Sequence, residues 1–162
     1  VLAEEKETCT LKMLLMSDVK PFEYLLGTGS CIWLACMTGS CVLGLVGEYE
    51  GSVFFSFLLV MALGTAASLL VGAAVGTWSR NQMAAASLSV PLMLVFSFLP
   101  MLSMFNETIG RIARIVYSEQ ISILINGLGQ QAAEPGNIAI VLLNIAAAFG
   151  CFVFVYRRCG LD

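Results

Sequence analysis

The sequence predicts an all-α integral membrane protein with four transmembrane helices. Three observations predict it. Of the 162 residues, 59% are hydrophobic and only 12% are charged, whereas a soluble domain carries about 25% charge. Four windows lack Asp, Glu, Lys and Arg altogether, each long enough for the roughly 20 apolar residues that a helix needs to cross the hydrocarbon core. No stretch alternates over about ten residues as the strands of a membrane barrel do.

The first element, residues 1–22, is polar and punctuated. Thr10 is placed to N-cap a short helix, Leu11 to Ser17, with Glu4, Glu5 and Glu7 near its positive end. Leu11, Leu14 and Leu15 share one face, at i, i+3 and i+4. Ser17 or Asp18 ends this helix and caps the next, in which Pro21 takes an early position. Two readings fit the residues. The helix seats in a groove of a soluble partner and carries motion into the membrane, or it rests on lipid as an interfacial helix.

The first span covers residues 23–47, with its charge-free window running from Tyr24 to Gly47. The second covers 52–78, within Gly51 to Ser79. Here Gly64, Ser68, Gly72 and Gly76 recur every fourth residue, a ladder on one face that suits close helix packing in lipid, against this chain or another. The third span covers 82–105, within Asn81 to Asn106, and holds Pro91 and Pro100. Each proline removes a backbone donor and tends to kink a helix. Such residues are either tolerated in a passive bundle or mark a hinge near a transport path.

Residues 106–134 connect the third span to the fourth. Ile109, Ile112, Ala113, Val116 and Tyr117 follow helical spacing, and Ile121, Leu124, Ile125 and Leu128 continue it. One or two amphipathic helices are expected, lying at the interface or dipping into it, with Gly127 and Gly129 ending the pattern. The fourth span covers 136–157, with Asn137 as its expected N-cap and Asn144 as its one deep amide, suited to a helix-to-helix hydrogen bond. Residues 158–162 form a tail.

Positive charge sets the orientation. Lys6, Lys12, Lys20, Arg80, Arg157 and Arg158 fall on one side, and Arg111 and Arg114 on the other. The majority side is read as cytoplasmic, which puts both ends inside and 106–134 outside.

Several functions are excluded by what the sequence lacks. There is no histidine, so a Ser-His pair or a zinc protease site is absent. No GxxxxGK(S/T) loop offers a nucleotide site. No catalytic, cofactor-binding or metal-binding residue is therefore expected. The net charge is −3 without a basic patch, which argues against nucleic acid. The six cysteines form no CxxC pair and read as small apolar residues. No span carries a charge at its centre, where proton- or sodium-coupled carriers usually place one. A small four-helix proton-coupled exporter is thereby disfavoured. A membrane scaffold or sensor subunit explains the ladder but gives the amino-terminal segment no purpose.

The run Glu4-Glu5-Lys6-Glu7-x-x-Thr10-Leu11-x-x-Leu14-Leu15-x-Ser17-x-Val19-x-Pro21-x-Glu23-x-Leu25-Leu26-Gly27 resembles the cytoplasmic coupling segment of ABC-2 type transporter permeases. The ending Tyr156-Arg157-Arg158-x-Gly160-Leu161-Asp162 is similar to that family's terminal tail, and the layout of spans agrees between them. Cys9 stands where the family commonly has Gly, Asp18 where it has Pro, Thr28 where it has Lys, and Cys159 where it has a basic residue. The resemblance implies the carboxy-terminal four spans of a six-span permease in the plasma membrane, so two further spans are expected before Val1 or in a partner. It implies pairing with a second permease copy or a homologous permease within membrane lipid. It also implies a separate cytoplasmic ABC ATPase subunit that holds ATP and Mg. Glu4, Glu5, Glu7, Thr10, Leu11, Leu14, Leu15 and Pro21 would then form the contact that couples ATPase closure to export.

Overall fold

The computed structural model describes residues 21–49, 51–79, 81–128 and 135–159, with side chains described at 26–49, 51–79, 81–128 and 136–155. Among the described residues there are six helices and no strand. They are α1 (Pro21–Val46), α2 (Gly51–Trp78), α3 (Gln82–Phe105), α4 (Glu107–Ala113), α5 (Tyr117–Gly127) and α6 (Pro135–Cys159). Four of them, α1, α2, α3 and α6, are long and apolar enough to cross a membrane. The chain is a multi-pass membrane protein.

Each helix boundary has a local cause. A tight turn links α1 to α2, with Gly47 N–H donating to the Leu43 carbonyl at 2.9 Å and Glu48 held at φ 53°. The α3 helix starts where Asn81 accepts from the Ala84 N–H at 2.8 Å. Asn106 closes α3 by donating its backbone N–H to Leu102 and opens α4 by accepting from Thr108 N–H at 2.9 Å. One residue thus ends one helix and caps the next, so the chain reverses within a single residue. The sequence pattern places Asn137 at the cap of the last span, but α6 begins earlier, at Pro135. Proline's fixed φ suits the first helical position, and this moves Asn137 into the first turn.

The α2 helix is the hub. It packs most extensively on α6, next on α1, then on α5, and only lightly on α3. Val60, Leu124 and Val141 form the buried centre where α2, α5 and α6 meet, flanked by Leu63, Ile121, Ile125, Ile138 and Ile145. Against α1, Trp33 donates its indole N–H to the Ala62 carbonyl at 3.3 Å. Gly44 lets α1 close on Phe54 and Phe57, since a Cβ there would sit 2.7 Å from the Phe54 ring. The α3 helix buries none of its described residues and runs unbroken through Pro91 and Pro100.

The pair α4–α5 is a re-entrant hairpin. The α4 helix folds back along α3, with Gly110 beside the Ser103 carbonyl. Its turn meets α6 at Asn144, nine residues past Pro135 and so about 14 Å along the helix. It meets α2 at Ser68, past the midpoint of that helix. The hairpin therefore enters the apolar layer instead of lying across the bundle's end.

Candidate functional site

The light contact between α2 and α3 leaves a groove of about 730 Å³. The α2 wall presents Gly64, Ser68 and Gly72; the α3 wall presents Met93, Phe96, Ser97 and Pro100; Tyr117 and Ile121 of α5 close one end. The lining is mainly apolar, with hydroxyls at intervals and no charged residue among it. A groove of this chemistry suits an apolar molecule with a few hydrogen-bonding groups.

Tyr117 ties the two walls together. Ser68 Oγ donates to the Gly64 carbonyl at 2.9 Å, which uses its only proton. The 3.2 Å contact between Ser68 Oγ and Tyr117 is therefore donated by the tyrosine. The Tyr117 ring also lies 5.2 Å from that of Phe96, tilted by 57°. A single buried aromatic side chain thus spans α2, α5 and α3.

The small-residue ladder meets different surroundings rung by rung. At Gly64, an added Cβ would fall 2.3 Å from Ile121 Cδ1, so α5 is seated directly on the glycine. Ser68 holds Tyr117. At Gly72 nothing lies within 4 Å, and that rung opens into the groove. Gly76 is half-buried and lies beyond the groove lining. Pro100 is part of the lining, while Pro91 sits between two lining residues, Val90 and Leu92. Pro21 is the first residue of α1. Glu4, Glu5, Glu7, Thr10, Leu11, Leu14 and Leu15 lie outside the described residues.

The hairpin turn exposes backbone carbonyls at a depth where water cannot satisfy them. Two side-chain amides do so instead. Gln120, only 2% exposed, donates Nε2 to the Arg114 carbonyl, and Asn144 donates Nδ2 to the Ile115 carbonyl at 2.8 Å. Asn144 does join separate elements, but its partner is the hairpin turn and not another span. Near the hairpin's α3 side, the Ser103 hydroxyl lies 2.8 Å from both the Pro100 carbonyl and Glu119 Oε1, and its single proton serves one at a time. Glu119 Oε2, Ser118 Oγ and Gln120 Oε1 are buried and have no partner among the described residues.

Residues 1–156 match the family described as ABC-2 family transporter protein. The chain belongs to that family. No curated protein and no solved structure matches it. For this ABC-2 permease, the match covers the amino-terminal segment and nearly all of the last span, so the groove, the hairpin and the spans fall within one family unit. Sequence reasoning missed the hairpin's role as a wall of the groove. The signal available was the polar run Ser118-Glu119-Gln120 at the start of a helix whose later residues are mostly apolar. Its depth followed only from the partners it finds on α2, α3 and α6.

Proposed function

We propose that this permease forms part of the membrane path of an ATP-driven exporter, with the α2–α3 groove as the surface along which an apolar substrate moves. The observation that carries the reading is a charge-free groove between two spans of a transporter-family chain whose 162 residues contain no nucleotide loop. Energy enters from a separate cytoplasmic ABC ATPase, which holds ATP and Mg. The segment from Glu4 to Pro21 seats on it, with its acidic residues meeting basic groups and Leu11, Leu14 and Leu15 filling a cleft. A second permease, identical or homologous, completes the path. Both ends of the chain are cytoplasmic, and the membrane is the plasma membrane.

Co-purification with an ATPase subunit tests the partnership. Charge reversal of Glu4, Glu5 and Glu7 tests the contact: ATP hydrolysis should continue while transport falls, with membrane insertion unchanged. Unaltered transport in that variant would overturn the assignment.

One observation favours a second reading. The four spans lack a central carboxylate, but the hairpin packs Glu119 against Ser103, in the last turn of α3, and leaves one carboxylate oxygen without a partner among the described residues. A proton-coupled carrier would use such a group. Transport that survives ATP depletion but is lost in Glu119→Gln would support this reading over the first.

A further inference from the structure

We infer that the outward face of α4 holds the phosphate headgroup of a membrane phospholipid, drawn below its usual plane by Arg111 and Arg114. Neither arginine is among the residues that line the groove, and the site does not rest on ATP-driven export.

Arg111 and Arg114 are the only cations between Arg80 and Arg157. They stand three residues apart on the helical stretch that enters the bundle, so their side chains share a face. Both are exposed. Ile112 and Ile115, 65% and 68% exposed, lie beside them on the same arc. Two guanidinium groups and two bare isoleucines therefore form one surface.

The inner end of that surface, at Arg114, lies in the apolar layer. The turn bearing Arg114 is held by Asn144, about 14 Å inside α6. Half of the hydrocarbon core is only about 15 Å thick. An arginine at such depth needs an anion, a water-filled cavity or a route to the interface. Among the described residues no carboxylate is paired with either guanidinium. Glu107 stands one turn before Arg111 and can balance one charge at most; Glu119 is turned toward Ser103 on α3.

A phospholipid satisfies both halves of the surface. Its phosphate accepts paired hydrogen bonds from the guanidinium forks, and charge assistance makes these strong. Its acyl chains cover Ile112 and Ile115. A free anion would satisfy the arginines and leave the isoleucines bare. The long arginine stems also let the heads rise partway to meet the phosphate.

The test is native mass spectrometry of the full chain in detergent, titrated with phosphatidylglycerol, with diacylglycerol of the same acyl chains, and with inorganic phosphate alone. Phosphatidylglycerol should be retained about tenfold more strongly than diacylglycerol. Arg111→Gln/Arg114→Gln should abolish the difference, while Arg111→Lys/Arg114→Lys, which keeps the charge but loses the forked pairing, should retain a smaller part of it. Equal retention of the two lipids, an unchanged preference in the glutamine variant, or inorganic phosphate binding as tightly as the phospholipid would each overturn the proposal. Should the glutamine double variant fail to fold, Arg114→Gln alone carries the test, and its preference should fall by a smaller factor.

Discussion

Tyr117 of the re-entrant hairpin donates a hydrogen bond to Ser68 of α2, and Ser68 has already given its own proton to the Gly64 carbonyl. The next turn of α5 places Ile121 directly on that same Gly64. The hairpin is thus fastened to α2 by one polar contact and one steric fit, two rungs of a single ladder.

The polar contact is removed by Tyr117→Phe, which keeps the ring beside Phe96. The loss should be about 0.5–1.5 kcal/mol, the net worth of one hydrogen bond. Tyr117→Ala should cost about 3 kcal/mol or more, because it removes the buried ring as well. Denaturant unfolding of the three proteins in the same detergent measures both steps.

The steric fit predicts a reciprocal pair. Gly64→Ala drives a methyl into Ile121 Cδ1 and should cost about 1–3 kcal/mol through overpacking. Ile121→Val deletes that terminal carbon, leaving the next atoms at 3.6 and 3.8 Å, ordinary contact distances. In the valine background, Gly64→Ala should therefore be nearly neutral. A double-mutant cycle on thermal stability reads the coupling, and additive effects would refute the fit.

Gly72 behaves in the opposite way. Space is open there, so Gly72→Leu should leave the unfolding temperature almost unchanged. The added side chain projects into the groove, and it should weaken binding of an environment-sensitive apolar dye about tenfold or more. Fluorescence titration beside a melting curve separates the two effects.

Asn144 secures the turn of the hairpin. Asn144→Leu leaves the Ile115 carbonyl without its donor in an apolar layer and should cost about 0.6–2 kcal/mol, the range for hydrogen bonds between membrane helices. Hydrogen exchange at residues 114–117 should rise in this variant, while exchange at the α1–α2 turn stays as it was.

The four spans were legible because charges bound each window on both sides, as Glu50 and Arg80 do around α2. The caps of α3 and α4 are equally local, since each asparagine binds an N–H two or three residues away. The groove was not legible. The spacing of Gly64, Ser68 and Gly72 marks a face but does not say that α5 covers the first rung, that a tyrosine clasps the second or that the third stays open. The hairpin's depth was hidden for a related reason. Amphipathic spacing read from Ile109, Ile112, Ala113, Val116 and Tyr117 does find Ala113 and Tyr117 buried, but Ile112 faces outward. Polarity around Arg111, Arg114 and Glu119 resembles an interfacial segment until Gln120 and Asn144 are seen to satisfy the turn.

The α3 helix has no buried side chain among its described residues, and its closest ties are to the hairpin. In mechanical terms, α1, α2 and α6 form one packed block, and α3 leans on it largely through the hairpin. Displacing α3 would strip no buried side chain of its own, and the backbone acceptors that Pro91 and Pro100 leave without their usual helical donors would favour bending at those two heights. The contacts that such a displacement would break are those with α4, α5 and α2, Ser103 and Phe96 among them.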